Sequence, residues 1–144
     1  MRCFLRSDTR LSRVLHVLIH LTCDPKNYTS QQLAEMLDTN AVLVRRSMAG
    51  LREAGYVRSE KGHNGGWSLC CDPEKVTLLD VYQALGINNL YNLGISADNQ
   101  HCLIEKAVND ELDSALKEAE LLLMRKLNSL TLAHLCKKFK EISQ

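Results

Sequence analysis

The chain has 144 residues, of which 45% are apolar and 24% charged, as is usual for a globular domain. Its most apolar stretch, residues 14–23, is about half as long as a membrane span and contains two histidines. It also lies close to Arg10 and Arg13 and has no small-residue cleavage site. We therefore expect neither a membrane span nor a secretion signal, and a cytoplasmic protein.

The net charge of +1 conceals a difference between the two halves of the chain. Residues 1–71 carry ten Lys and Arg against six Asp and Glu, whereas residues 72–144 carry eight against eleven. A basic first half and an acidic second half suggest that one region faces nucleic acid and that the rest of the chain forms a separate region.

Six cysteines stand at positions 3, 23, 70, 71, 102 and 136, and none forms a C-x-x-C pair. We therefore predict no structural zinc site and expect reduced thiols. His16 and His20 are one helical turn apart, a spacing that could bind a metal ion but is more often that of a partly buried structural pair.

The apolar spacing predicts mostly helices with a small β-hairpin. A first helix spans about 8–22 with Asp8 as N-cap. A second follows Thr29, which with Gln32 fits a capping box. The turn 38–40 leads to a third helix, 41–54, with Leu43, Val44, Ser47, Met48 and Leu51 inward and Gly55 as its stop.

After Gly55 the pattern changes to two short strands, 56–59 and 67–70, joined by a glycine-rich loop. Thr77 with Asp80 predicts the cap of a fourth helix, which Gly86 ends. We predict a loop at 86–101, a long helix at about 102–126 and a short last helix after Thr131.

Two helices joined by a short turn and followed by a hairpin make a winged helix-turn-helix. The second helix of such a pair enters the major groove, and the first crosses the DNA backbone. We therefore predict DNA contacts from both helices and from the wing. The candidates are Ser30, Gln31, Asn40, Ala41, Val42, Arg45, Arg46, Arg52, Lys61, Gly62, His63, Asn64, Gly65 and Gly66.

Two other readings remain open. Arginines on one side of a helix are often merely solvated, and winged helices also serve as protein-docking modules without DNA affinity. An enzyme is a more distant alternative, because the chain has no nucleophile motif, phosphate loop or paired carboxylates. His101 and Cys102 are adjacent, and adjacent residues rarely have the mutual geometry of a catalytic pair.

The sequence resembles the Rrf-two family of bacterial regulators, the IscR, NsrR and CymR group. The resemblance rests on residues 30–35 (SQQLAE), 44–57 (VRRSMAGLREAGYV), 65–69 (GGWSL) and 76–85 (VTLLDVYQAL), and extends weakly along the long helix. Departures are Asp38 where the family usually has Gly, Thr39 where Val is common, and Trp67 where Tyr is more usual.

The resemblance implies a homodimer that pairs through the long helix and controls transcription, most simply as a repressor at an inverted-repeat operator. Leu112, Leu116, Ala119 and Leu123 form a seam suited to that pairing. The predicted organisation is a DNA-binding domain at 1–85, a loop at 86–101 and a dimerisation region at 102–144.

Several members of this family bind a two-iron two-sulfur cluster through three closely spaced cysteines. Here Cys102 is the one cysteine in that region, so we predict no cofactor and no metal. Other members respond to thiol oxidation, which makes Cys102 a candidate redox sensor, with Cys3 and Cys23 as alternatives.

Overall fold

A computed structural model describes residues 8–87, 95–96 and 101–144. The helices are α1 (Arg10–Cys23), α2 (Ser30–Met36), α3 (Ala41–Glu53), α4 (Leu78–Ala84), α5 (Leu103–Asn128) and α6 (Leu132–Ile142); the strands are β1 (Val57–Glu60) and β2 (Gly66–Leu69). The mostly helical fold with a small hairpin is confirmed. Most of the predicted loop 86–101 lies outside the described residues.

The predicted capping boxes are both present. The Thr29 side chain accepts a hydrogen bond from Gln32 N, and the Gln32 side chain accepts one from Thr29 N. Thr77 and Asp80 make the same two bonds at α4. Each box satisfies backbone donors that the first helical turn leaves unpaired. These side chains therefore fix where α2 and α4 begin.

The N-cap predicted for α1 is wrong by one residue. Thr9 takes the cap position without a side-chain cap bond. Asp8 lies just before it, and its carboxylate accepts hydrogen bonds from the backbone and guanidinium of Arg10 at 2.6–3.1 Å. The helix therefore begins at Arg10, and Asp8 pairs with that residue's side chain instead of capping α1.

The core lies between α1, α3, α4 and the hairpin. Leu18, Leu21, Leu33, Leu51 and Val81 have no measurable exposure. On α3, the predicted inward positions Val44, Met48 and Leu51 are buried, but Leu43 is 36% exposed and Ser47 half-buried. Leu43 directly precedes Val44 and is turned about 100° away from it around the helix, so the inward stripe of α3 is narrower than predicted.

Two connections hold α6 to the rest of the fold. Leu78 N donates to Leu130 O, and Leu132 N donates to Val76 O. These two hydrogen bonds pair the residues that lead into α4 with those that lead into α6. A disulfide between Cys23 and Cys136 links the end of α1 to α6. The expectation that all six cysteines are reduced is therefore wrong for these two.

None of the helices in the described ranges combines the length and the apolar content needed to cross a bilayer.

Candidate nucleic-acid interface

The turn between α2 and α3 depends on one residue in a left-handed conformation. Asp38 has φ 51°, and Thr39 N donates to Ala34 O at 2.9 Å, which closes the end of α2. Aspartate tolerates this conformation better than most residues with a Cβ. Asp38 can therefore stand where the resembling family usually has glycine.

Asn40 begins α3. Its side-chain Oδ1 accepts a hydrogen bond from Leu43 N at 3.0 Å, so the residue caps the helix. Of the next two predicted contacts, Ala41 packs partly against the core, whereas Val42 is 60% exposed. At the start of α3, Val42 thus has an apolar surface free to meet a base, and Ala41 is largely occupied in packing.

The exposed side of α3 is basic. Arg45, Arg46 and Arg52 are exposed, opposite the buried Val44, Met48 and Leu51. Within the described residues, neither Arg45 nor Arg46 lies in an ion pair. Their charges are therefore not neutralised by a neighbouring carboxylate.

Arg52 joins α3 to the wing. Its guanidinium carbon lies 5.9 Å from the centre of the Trp67 ring, within the range of a cation–π contact. This contact leaves the guanidinium exposed while restricting where it can point. The basic side of α3 therefore continues onto the hairpin.

The wing is an antiparallel hairpin in which Val57 pairs with Leu69 and Glu60 with Gly66. Its tip, Lys61–Asn64, is exposed, and Gly62 and Asn64 have positive φ values of 94° and 62°. Asn27 Nδ2 donates to Asn64 O at 2.9 Å, so the loop after α1 supports the tip.

The hairpin has room only for glycine at positions 65 and 66. A Cβ on Gly65 would overlap the carbonyl of Glu60, and one on Gly66 (φ +137°) would lie 2.5 Å from Tyr28 O. Tyr28 and Trp67 exchange two backbone hydrogen bonds at that point, of 3.0 and 2.7 Å. The two glycines therefore allow β2 to pair with the loop before α2.

The predicted contacts on α2 are already partly engaged. Ser30 Oγ accepts a hydrogen bond from Trp67 Nε1 at 3.0 Å, and Gln31 Nε2 donates to Glu35 Oε1 at 3.2 Å. Gln31 is exposed and Ser30 half-buried. The Ser30–Trp67 bond is a link between helix and wing that the sequence does not reveal, although Trp67 in a glycine-rich hairpin marks a residue that needs a partner for its N–H.

The predicted dimer seam lies on α5, and none of the α5 side chains is buried. Leu112 is 46% exposed, whereas Leu116, Ala119 and Leu123 are half-buried. The most exposed apolar side chains that share one side of the helix are Ile104 (76%), Val108 (51%), Leu112 and Leu122 (66%). This α5 stripe is rotated from the predicted seam and meets it at Leu112.

The cysteines of the described residues do not offer the ligands of an iron–sulfur site. Cys102 is the N-cap of α5, and the sequence has no other cysteine between 72 and 135. Across the described ranges, no three His, Cys, Asp or Glu side chains are grouped to hold a metal ion. Because such clusters need several thiolates, the residues here do not fit one.

Of the remaining thiols, Cys70 is exposed, and Cys71 packs against the core. Burial, with a smaller effect of Cys70, raises the pKa of the Cys71 thiol, which disfavours the reactive thiolate. Cys102 is half-buried, and its role as a redox sensor stays a prediction.

A helix-turn-helix with an exposed basic second helix, flanked by a wing, defines a winged-helix transcriptional regulator. The family model described as "Rrf2: Iron-dependent Transcriptional regulator" matches residues 7–138. The chain belongs to this Rrf2 (Rrf-two) family, whose members regulate transcription and are not enzymes.

Individual relatives support this family assignment. YwnA of Bacillus subtilis (strain 168), an HTH-type transcriptional regulator by name, is 29% identical over 125 residues, which cover 87% of this chain and 92% of YwnA. The solved structure of T. potens IscR is similar with a TM-score of 0.73 at 20% identity, covering 98% of this chain and 93% of the other.

CymR (YrzC), the global cysteine regulator of B. subtilis, is similar with a TM-score of 0.61 at 21% identity, covering 94% of this chain and 98% of the other. At these identities, the two solved structures confirm the fold.

Proposed function

We propose that this regulator binds double-stranded DNA in a sequence-specific way as a homodimer, in the cytoplasm, and represses transcription from an inverted-repeat operator. The observation that carries the proposal is the pair of exposed arginines, Arg45 and Arg46, which form no ion pair within the described residues and lie on the helix that such folds insert into the major groove.

The arginines and the wing have different tasks in this proposal. Arginine can hold a phosphate or bind guanine O6 and N7 with two hydrogen bonds, and Val42 can meet a thymine methyl. Lys61 and His63 lie at the exposed tip of the wing, where they can approach phosphate or the neighbouring groove. Arg52, restrained by Trp67, connects the two surfaces.

The α5 stripe supports a homodimer. Ile104, Val108, Leu112 and Leu122 expose apolar surface along one side of a 26-residue helix. Burying this surface against the same stripe of a second copy removes it from water. A two-fold dimer presents two recognition helices, which calls for two half-sites in opposite orientation.

The test is recovery of bound DNA. Sheared DNA of the source genome is incubated with the purified full chain, and enriched fragments are sequenced. We expect a small set of fragments that share an inverted repeat, protected by wild-type chain and not by the Arg45→Ala/Arg46→Ala variant. Equal recovery of all fragments would indicate non-specific DNA binding, and recovery of none would favour a protein-docking module; either result would contradict sequence-specific binding.

Repression is tested separately. A reporter under the recovered promoter should be less active when the chain is expressed and should recover with the same double variant. Higher reporter activity with the wild-type chain would make the protein an activator at that site.

A further inference from the structure

We propose that His16, His20, Cys23 and Cys136 form a binding site for a borderline divalent cation such as Zn²⁺. The site becomes available when the Cys23–Cys136 disulfide is reduced. The site lies between α1 and α6, on residues that neither the DNA surface nor the α5 stripe uses.

Three of the four residues lie on one side of α1. His20 follows His16 by four positions and Cys23 follows His20 by three, the spacings at which helical side chains are neighbours. His16, His20 and Cys23 line one cavity of about 120 Å³, which Ile19 and Phe139 complete. α6 supplies the fourth residue, because its Cys136 is bonded to Cys23.

The two histidines already have the spacing of two ligands of one ion. His16 Nε2 and His20 Nε2 are 3.1 Å apart in a hydrogen bond, which a bound ion would replace, and the rings are stacked at 4.9 Å between centroids. Tetrahedral Zn²⁺ with Zn–N bonds of about 2.0–2.1 Å holds its two nitrogens roughly 3.3 Å apart. Little movement of the imidazoles is therefore needed.

The sulfur atoms require a chemical step. The described residues contain no group of three His, Cys, Asp or Glu placed to hold a metal ion, and Cys23 and Cys136 are bonded to each other, so reduction must come first. A dithiol reductant donates two electrons and two protons to the disulfide and is itself oxidised to a disulfide. Zn²⁺ then displaces the two thiol protons and binds two thiolates and two neutral imidazoles.

The geometry allows this exchange without rearrangement of the fold. The Cα atoms of Cys23 and Cys136 are 6.0 Å apart, and two sulfurs on one tetrahedral Zn²⁺ are about 3.8 Å apart given Zn–S bonds of about 2.3 Å. Two thiolates with two imidazoles are a ligand set typical of Zn²⁺. In a cytoplasmic protein, a disulfide is typically a transient or sensing one, which suits a site that alternates between the two states.

The experiment uses Co²⁺ as a spectroscopic substitute for Zn²⁺. The full chain is reduced with a phosphine, kept free of oxygen and titrated with Co²⁺. We expect one ion per chain, with a thiolate-to-cobalt charge-transfer band in the near ultraviolet and the intense visible bands of a tetrahedral site. Zn²⁺ should displace the Co²⁺ and remove both features.

Variants assign the ligands. Cys23→Ser leaves Cys136 as the one thiolate, so it should reduce the charge-transfer band to about half or less and weaken affinity more than about 100-fold, beyond the effect of losing an outer-shell partner. His20→Ala should weaken affinity at least about 10-fold with the fold intact by circular dichroism. The matched control Cys70→Ser/Cys71→Ser removes two thiols elsewhere and should leave the spectrum unchanged.

Oxidation provides the second arm. Diamide added to the zinc-loaded chain takes two electrons from the thiolates and two protons from water, which forms the Cys23–Cys136 disulfide and releases Zn²⁺ to a chromogenic chelator. A reduced wild-type chain without the charge-transfer band, or one whose band persists at full intensity in Cys23→Ser, would overturn the proposal.

Discussion

The indole Nε1 of Trp67 donates a hydrogen bond to Ser30 Oγ at 3.0 Å, and this bond joins the wing to the start of α2. Trp67 is 7% exposed and also exchanges two backbone hydrogen bonds with Tyr28. Trp67 thus helps to orient the wing relative to the helix-turn-helix through both its side chain and its backbone.

A double-mutant cycle measures this link. Trp67→Phe keeps an aromatic ring but removes the indole N–H donor, and Ser30→Ala removes the acceptor. We expect a coupling free energy of about 1 kcal/mol in urea unfolding at fixed chain concentration. Ser68→Ala is the control, because Ser68 Oγ instead accepts from Arg58 Nε. Additive effects of Trp67→Phe and Ser30→Ala would mean that the bond does not stabilise the wing.

Gly66 tests whether the shape of the wing matters for DNA binding. Alanine there would bring Cβ to 2.5 Å from Tyr28 O, so the strand must move away from the loop before α2. We expect Gly66→Ala to lower DNA affinity with the sedimentation behaviour of the dimer unchanged. Gly86→Ala is the control, since Gly86 also has positive φ, a Cβ there would meet no atom within 4 Å, and it lies after α4, outside the predicted DNA contacts. Equal loss of affinity and dimerisation would make the hairpin a purely structural element.

The α5 stripe and the predicted seam can be distinguished. Aspartate at Val108 would bury an unpaired carboxylate between two copies, which is costly, so we expect Val108→Asp to sediment as a monomer. Leu121→Asp is the control, because Leu121 is 56% exposed on the other side of the helix. A monomer with Leu116→Asp and a dimer with Val108→Asp would instead favour the seam through Leu116 and Leu123.

Acidification should reduce the stabilisation that the hydrogen bond between Tyr28 and Asp24, in the loop after α1, gives to the folded chain. The Tyr28 hydroxyl, which donates to Asp24 Oδ2 at 2.6 Å, lowers the pKa of that carboxyl below its ordinary value of 3.8, and Lys26 adds to the effect. A carboxyl whose pKa is lower in the folded than in the unfolded chain stabilises the folded state at pH values above its unfolded-state pKa. This stabilisation is lost as the pH falls through its folded-state pKa.

Tyr28→Phe isolates that contribution. The difference in unfolding free energy between wild type and Tyr28→Phe should be constant near neutral pH and should shrink as the pH falls below about 4. Asp24→Asn serves as the control, because in its background the Tyr28→Phe difference should not vary with pH in this way. A wild-type difference that is the same at pH 3 and pH 7 would contradict the assignment.

Local signals in the sequence predicted much of this fold. Thr29 with Gln32 and Thr77 with Asp80 fix helix starts through contacts three residues apart, and Gly86 ends α4 with φ 62°. Such interactions depend on neighbouring residues, so the sequence contains them directly.

Contacts between distant residues were not predictable in this way. Cys23 and Cys136 are separated by 113 positions, and their pairing depends on how α6 returns to α1. The rotation of the α5 stripe away from Leu116 and Leu123 likewise depends on which side of α5 packs against α4. Spacing along one helix shows an apolar side but not which part of it the fold covers.

The basic side of α3 is tested most directly by the salt dependence of DNA binding. The dissociation constant for a recovered operator is measured over a range of salt concentrations for wild type, Arg45→Ala/Arg46→Ala and Lys137→Ala/Lys138→Ala. The last variant removes the same charge from an exposed part of α6. We predict weaker binding and a slope of log affinity against log salt reduced by about 2 for the α3 variant, because each lost phosphate contact releases roughly one fewer counterion. Identical affinities and slopes for all three proteins would contradict DNA binding through α3.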